Sequence, residues 1–382
     1  MTDPTPACVL TAIDATLLAQ AQAQAAQAVG LTEPNPRVGC VLARPDGSVI
    51  GVGHTQHAGG PHAEIMALRD AAARGQSTLG ATAYVTLEPC SHHGRTGPCC
   101  DALIGAGIRR VVASLQDPNP HVAGRGLARL QAAGIATLLL DPGQPLAQAA
   151  RELNIGFLSR MVRGRPWVRM KIAMSLDGHT ALANGQSQWI TGGAARADGH
   201  QWRARAGALL TGIGTVLADN HRLDVRGPAV HHQPTLVIAD RQLRTPPAAA
   251  ALDAARPTLI YTRPGHLAAA PAAEAALRAR GAQLLPWPDD DWTPLLEDLA
   301  RREVNELHVE AGARLNGALL QAGCVDELLV YMAPRLLGGG LGMADWSPAL
   351  PLAQDPALRI VGTQMLGHDL RLQLRFTGRD DF

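Results

Sequence analysis

One histidine, two cysteines and a nearby carboxylate are spaced along the first third of this 382-residue chain in a way that suits metal chemistry. His62-Ala-Glu64 is followed by Glu88-Pro-Cys90 and then by Cys99. An imidazole and two thiolates hold zinc while leaving its fourth tetrahedral position open to water. The metal lowers the pKa of that water towards neutrality. A carboxylate that is not a ligand, here Glu64, can carry the proton from attacking water to departing ammonia. These are the parts of a site that deaminates a nucleobase-like ring.

The spacing departs from the compact Pro-Cys-x2-Cys knuckle, because Ser91 to Pro98 separate Cys90 from the pair Cys99 and Cys100. Two plainer readings stand beside the catalytic one. The cysteines and histidines can be ordinary thiols and a surface loop. Alternatively, His62, Cys90, Cys99 and Cys100 can close a structural zinc site and leave Glu64 idle.

The elements around these residues favour catalysis. Residues 63–74 have a helical pattern opened by His-x-Glu, and residues 81–87 have a strand pattern closed by Pro-Cys, so a helix N-terminus and a strand end meet at the metal. A helix over 11–29 is expected, with Thr11 as cap and Asp14 three residues on. Strands over 38–43 and 49–53 are joined by the turn signal Pro45-Asp46-Gly47. A strand over 82–87, a helix after Asp101, a strand over 110–115, a helix over 126–133 and a strand over 135–140 follow. Strands alternating with helices predict a sheet sandwiched between helices.

A chain of this length accommodates two domains. Residues 142–164 form the expected joint, with a helical stretch over 147–161 and then Arg163-Gly164-Arg165-Pro166, which divides the chain into domains 1–160 and 165–382. After Trp167 the alternation restarts. Strands are expected over 168–175, 208–211, 235–239, 258–261, 306–309, 327–333, 358–363 and 370–376, with a helix over 194–206; the Pro/Ala-rich stretch 245–275 is expected to be loop and short helix. Hydrophobic residues make up 46% of the chain, aromatics only 3%, and mean hydropathy is zero, which describes a globular protein with aliphatic cores. Lys+Arg 34 against Asp+Glu 33 leaves a net charge of +1, which argues against a nucleic-acid partner. The six cysteines do not form a secreted disulfide framework. With no leader pattern and no apolar run of membrane-spanning length, no membrane association and a cytoplasmic location are expected.

In the second domain three stretches stand out: Lys171 to Gly178 with Ser187 to Thr191, Thr211 to Asn220, and Glu310 to Gly317. Strands ending in glycines that open helices let backbone N–H groups approach a pyrophosphate. None matches the full G-x-G-x-x-G fingerprint, so spacing alone leaves tight turns as an open reading.

The run Tyr84 to Thr96, with Pro34-Asn35-Pro36-Arg37-Val38-Gly39 and Asp117 to Gly126, resembles the bifunctional riboflavin-biosynthesis deaminase–reductase family, from about residue 12 to near the C-terminus. The resemblance implies a cytidine-deaminase-like αβα domain followed by a dihydrofolate-reductase-like α/β domain. It implies one zinc per chain on His62, Cys90 and Cys99, the first of the paired cysteines, with Glu64 as proton shuttle. Asn35 and His92 would orient the pyrimidine, and Arg95 would hold its phosphate. In the reductase half, which uses NADPH, Ala173, Trp189, Thr215, Asp219 and the stretch Gly312, Ala313, Arg314, Leu315, Asn316, Gly317, Ala318 match cofactor-contacting positions. Ser187, Arg203, Leu223, Arg226 and Glu310 match positions for the ribosylamino-pyrimidine phosphate. Lys171, on the strand facing the site, can protonate or hydrogen-bond the opened sugar, or be a solvated strand lysine. The implied reaction sequence is hydrolytic deamination of the diaminopyrimidine phosphate, then reduction of its ribosyl group to ribityl. The expected partner is that small molecule, and assembly with further copies of the chain is expected.

Two positions depart from the family. Thr55 stands where a histidine is common, and Arg241 follows Asp240 where a small hydroxyl residue is usual. Arg241 suits the cofactor's 2′-phosphate, with Arg244 as a helper; an exposed arginine without that role is the alternative. Two rival functions remain at the level of sequence: a cytidine- or RNA-directed deaminase with an RNA-binding second half, and a deaminase carrying an inert scaffold.

Overall fold

The computed structural model describes residues 10–91, 97–119, 123–346 and 357–382. It comprises two compact units, Met1–Arg163 and Gly164–Phe382.

The first unit runs α1 (Ala12–Ala26), β1 (Gly39–Ala43), β2 (Val49–His54), α2 (Ala63–Ala73), β3 (Thr82–Val85), α3 (Cys99–Gly105), β4 (Arg110–Ala113), α4 (Arg125–Ala132), β5 (Ala136–Leu139), α5 (Pro145–Leu153) and α6 (Ile155–Arg163). The sheet order is β2-β1-β3-β4-β5. β1 is antiparallel to both β2 and β3, and β3, β4 and β5 run parallel. Side chains alternate across a strand, so β1 serves two cores. Cys40 and Leu42 pack with Ala63, Ala67 and Ala71 of α2. Val41 and Ala43 pack with Leu17, Leu18 and Ala21 of α1 on the other face. The helices lie very close to the sheet: a Cβ on Gly39 would stand 1.9 Å from the Ala21 carbonyl oxygen, and one on Gly53 would stand 2.5 Å from the Ala67 nitrogen.

Thr11 and Asp14 close a capping box on α1. The Asp14 carboxylate also accepts bonds from Tyr84 Oη at 2.8 Å and from Arg110 at 2.6 and 3.0 Å. One buried side chain therefore ties α1 to β3 and β4.

The second unit runs β6 (Trp167–Ser175), β7 (His179–Leu182), α7 (Gly193–Arg205), β8 (Ala208–Gly212), α8 (Ile213–Asp219), β9 (Thr235–Ala239), β10 (Thr258–Thr262), α9 (Pro264–Ala269), α10 (Pro271–Ala279), β11 (Ala282–Pro286), α11 (Thr293–Arg301), β12 (Glu306–Val309), α12 (Ala313–Gln321), β13 (Glu327–Ala333), β14 (Gly340–Gly342), β15 (Leu358–Leu366) and β16 (Asp369–Phe376). A nine-stranded sheet has the order β11-β10-β9-β8-β12-β6-β13-β16-β15, and β14 pairs with β7. Neighbours from β11 to β13 run parallel, while β16 and β15 turn back antiparallel. The chain leaving β8 goes to β9 on one side, whereas the chain leaving β12 crosses β6 to reach β13 on the other. Carboxyl ends that part in this way open a crevice, the usual place for a ligand in an open α/β sheet.

β9, β12 and β13 have the bounds expected from sequence. The helical stretch expected over 147–161 is instead two helices. Asn154 interrupts it by accepting the Arg37 N–H at 2.7 Å and donating to the Arg37 carbonyl at 2.9 Å. α3 begins at Cys99 rather than after Asp101, which carries the paired cysteines into its first turn.

All six tryptophans lie at or beyond position 167, so tryptophan fluorescence reports on the second unit alone. Asp14→Asn leaves Arg110 without its carboxylate and breaks the capping box. Removing one partner of a buried pair costs about 3 kcal/mol or more. The urea midpoint of the far-UV circular-dichroism transition assigned to the first unit should fall accordingly, while the tryptophan transition should hardly move.

Candidate active sites

His62 is the N-cap of α2, and Glu64 is buried in that helix's first turn. Cys90 lies in the loop after β3, and Cys99 opens α3. The helix N-termini thus carry the imidazole and one thiol to the strand end that carries the other. His62 Nδ1 stands 3.6 Å from Cys90 Sγ and 3.3 Å from Cys99 Sγ, and the three donor atoms lie within 4.8 Å of one another. Tetrahedral zinc with ordinary Zn–S and Zn–N bonds needs donor separations of about 3.5–3.8 Å. The donor set and its spacing fit zinc. Cys100 turns away and donates its thiol to the Pro89 carbonyl at 3.3 Å and the Gly126 carbonyl at 3.5 Å.

The site's electrostatics suit a thiolate and a proton carrier. The contact with Cys99, with His62 beside it, lowers the Cys90 thiol to about 4, and the same contact with Cys90, reinforced by burial, raises Cys99. Two apposed thiols beside an imidazole favour one thiolate over none. Burial pushes the Glu64 carboxyl up, and the Cys90 charge adds to it. Burial raises Cys100 to about 12, so it stays a thiol.

Sequence reasoning assigned no role to Glu88, yet it positions Cys90. Its buried carboxylate accepts backbone N–H bonds from Asp117 at 3.2 Å, Gly124 at 2.9 Å, Gly126 at 2.9 Å and Leu127 at 3.1 Å. Gly126 lies so close that a Cβ would stand 2.0 Å from the Pro89 oxygen. The sequence signal was a glutamate next to a candidate ligand, paired with a glycine-flanked helix start at 124–126.

Asn35 is half-buried just before β1. Thr55, at the position where histidine is common, is buried, and its backbone N–H donates to the Val38 carbonyl at 3.0 Å. His92 and Arg95 lie outside the described residues.

In the second unit, Lys171 and Ala173 lie on β6, Thr215 and Asp219 follow β8, and Glu310 with residues 312–318 follows β12; the other predicted residues lie elsewhere. Glu310 follows β12 and takes a bidentate bond from Arg203 of α7, one arm through Nε and the other at 2.9 Å. Lys171 on β6 has Nζ 3.7 Å from the same carboxylate, and Arg203 Nη1 donates to the Asp224 carbonyl at 2.9 Å. Burial works to raise the Glu310 carboxyl, but Arg203 and Lys171 outweigh it and hold it well below the usual range. Ala173 lies on the same strand face as Lys171, half-buried against the cluster of Ala195, Leu329 and Tyr331.

Thr215 and Asp219 lie on α8, and Gly312 is the N-cap of α12, with no side chain capping either helix. The two starts adjoin: a Cβ on Gly312 would stand 3.8 Å from Thr215 Oγ1. Uncapped N–H groups there suit a phosphate of a dinucleotide. Within the 312–318 stretch, Ala313 and Arg314 sit at the helix start and Leu315 faces Gly212. Asn316 and Gly317 are buried: Asn316 Nδ2 donates to the Met343 carbonyl at 2.8 Å, and Gly317 packs on the Asp345 backbone. Ala318 is half-buried one residue on.

Ser187 is half-buried, and Trp189 is exposed under the Arg196 guanidinium, 4.6 Å from its ring centroid. Leu223 buries its side chain in an apolar core, and Arg226 is exposed. Arg241 follows β9, with its guanidinium 4.9 Å from the Trp287 ring centroid and 3.1 Å from Asp290, which Arg263 shares at 3.0 Å.

Residues 11–115 match the cytidine and deoxycytidylate deaminase zinc-binding region, and residues 166–372 match the RibD C-terminal domain. The riboflavin biosynthesis protein RibD of Escherichia coli K12 is 45% identical over 90% of this chain and 94% of its own length. That of Haemophilus influenzae is 40% identical over 94% and 96%. The chain belongs to the RibD family. Acinetobacter baumannii RibD superposes with a TM-score of 0.84 at 40% identity, covering 96% of this chain and 99% of that one. A diaminohydroxyphosphoribosylaminopyrimidine deaminase/5-amino-6-(5-phosphoribosylamino)uracil reductase from Thermotoga maritima gives 0.83 at 29% identity, covering 95% and 99%. As a RibD family member, the chain is a bifunctional deaminase–reductase of riboflavin biosynthesis, with a cytidine-deaminase-like domain followed by a dihydrofolate-reductase-like one. Among the described residues, no helix is long and apolar enough to cross a membrane.

The placement of the paired cysteines gives a direct check. Cys99→Ser should lose bound zinc, measured by metal analysis after gel filtration, whereas Cys100→Ser should retain it. The reverse result would place the other thiol in the site.

Proposed function

We propose that residues 1–160 hydrolyse the 2-amino group of 2,5-diamino-6-(ribosylamino)-4(3H)-pyrimidinone 5′-phosphate, and that residues 165–382 reduce the resulting ribosylaminouracil phosphate to its ribityl form with NADPH. The convergence of His62, Cys90 and Cys99 around a buried Glu64 carries the first half of this reading. A zinc ion in that donor set supplies the Lewis acidity that makes water nucleophilic at neutral pH. Glu64 takes the proton from the attacking water and delivers it to the departing amine, so that the C–N bond breaks as ammonia forms. Its burial raises its affinity for the proton it must hold between the two transfers. Asn35 and His92 orient the ring, and Arg95 holds the phosphate.

In the second half NADPH supplies the hydride. Glu310, oriented by Arg203, receives the donor-rich pyrimidine, and Lys171 presents a proton or hydrogen bond to the opened sugar. Ala173, Trp189, Thr215, Asp219 and residues 312–318 border the cofactor, and Arg241 meets its 2′-phosphate. Ser187, Leu223 and Arg226 complete the substrate side. Assembly into a homo-oligomer and a cytoplasmic location belong to the same reading.

The decisive experiment incubates purified protein with the diaminopyrimidine phosphate, with and without NADPH, and identifies products by mass. Loss of the amino group alone is expected without cofactor, and two further hydrogens with it. In Glu64→Gln, which keeps shape but not the proton carrier, deamination should fall about 10²–10⁴-fold. Zinc content and reduction of pre-deaminated substrate should persist. Near-normal deamination by the zinc-replete variant would remove Glu64 from the mechanism. Arg241→Ala should raise the KM for NADPH about tenfold or more and leave that for NADH nearly unchanged. Equal losses with both cofactors would assign Arg241 to the fold instead.

A further inference from the structure

His200 lies on α7, three residues before Arg203, and so shares that residue's face of the helix. The Arg226 backbone N–H donates to His200 Nδ1 at 3.2 Å. An imidazole nitrogen that accepts carries no proton, so the neutral ring must carry its hydrogen on Nε2. That Nε2 stands 3.5 Å from Arg226 Nη2. Guanidinium nitrogens only donate, so the two groups present N–H to N–H across this gap and cannot bond each other. Two donors held face to face suit an acceptor that bridges both.

The surroundings narrow what that acceptor is. Arg203 is committed within the protein, with Nε and Nη2 on Glu310 and Nη1 on the Asp224 carbonyl. Arg226 has Nη1 3.7 Å from Asp224 Oδ1 and is 60% exposed, leaving its guanidinium open to a ligand. Burial, with Arg203 and Arg226 nearby, lowers the His200 pKa, in keeping with a neutral ring.

We propose that His200, through Nε2–H, is a phosphate-binding residue of the reductase site, acting with Arg226 on the 5′-phosphate of the ribosylamino substrate. The proposal rests on the reductase reading above. Arg203 serves Glu310, and the phosphate is gripped by the outward pair of Arg226 and His200. A phosphate monoester has three terminal oxygens, enough to bridge both donors.

The test compares 5-amino-6-(5-phosphoribosylamino)uracil with its dephosphorylated counterpart as substrates for NADPH oxidation. In His200→Ala the preference for the phosphorylated compound, as a ratio of kcat/KM values, should fall about tenfold or more. Deamination and the KM for NADPH should stay at wild-type values. His200→Gln, which can return an N–H to the same gap, should recover part of the preference. An unchanged ratio in His200→Ala, or equal losses with both substrates, overturns the proposal. Failure of the unaltered protein to oxidise NADPH with either substrate overturns the reductase reading itself, a result distinguishable from the others.

Discussion

A carboxylate taken out of water must be met by donors, because an unpaired buried charge costs several kcal/mol. In this chain that demand is what draws distant segments together around the chemistry. Glu88 shows it most clearly. Its four backbone donors come from residues 117–127, so the loop after β4 and the start of α4 are organised around one side chain. Pro89 and Cys90 cannot shift without stripping donors from that carboxylate or colliding with Gly126. One metal-site thiol is therefore placed by a network that involves no metal.

The same demand runs through the second unit on a larger scale. Arg169 of β6 pairs with Glu306 at the start of β12 at 2.6 Å and with Glu327 of β13. Arg205 joins Glu306 at 2.8 Å, and Arg375 of β16 joins Glu327 at 3.0 Å. Arg169 and Lys171 are two residues apart on one strand, so both face the same side of the sheet. A buried ion network and the reductase site thus share one surface. Desolvation offsets much of what such pairs contribute to stability. What they supply is register: a one-residue slip of β6 would turn Arg169 into the apolar core on the other face.

Much of this was legible in the sequence where the signal is local. The Thr11–Asp14 capping box, the β1–β2 hairpin and the bounds of β9, β12 and β13 follow from caps, turns and period-two alternation over a few residues. The conjunction of His62, Glu64, Cys90 and Cys99 was legible because each residue has its own chemical signature. What was not legible depends on partners far along the chain. Nothing near Glu88 announces donors about thirty residues later, and nothing near Arg203 announces Glu310, 107 residues away. The helix break at Asn154 needs Arg37, 117 residues before it. Residue type cannot separate Cys99 from Cys100. They are adjacent on a helix, where successive side chains point about 100° apart, so only the phase of α3 sends one to His62 and the other to Pro89 and Gly126. Family resemblance pointed to Cys99, and the geometry groups Cys99, not Cys100, with His62 and Cys90.

The two sites also resolve opposite electrostatic problems within a chain whose net charge is only +1. The deaminase site, in the proposed reading, must hold a proton away from bulk water. Burial with the neighbouring Cys90 charge raises the proton affinity of Glu64, while Cys90 itself accepts the Cys99 N–H at the start of α3. The reductase site must accept anions, since both its cofactor and its substrate carry phosphate. In the proposed site positive charge is kept local: Arg226 faces outward, Arg241 and Arg263 share the one carboxylate of Asp290, and the start of α12 has no side-chain cap. A general basic field would attract polyanions of every kind. Confining outward-facing donors to a few positions, while Arg169, Arg205 and Arg375 are paired with the buried Glu306 and Glu327, makes the attraction depend on where the ligand's phosphates lie.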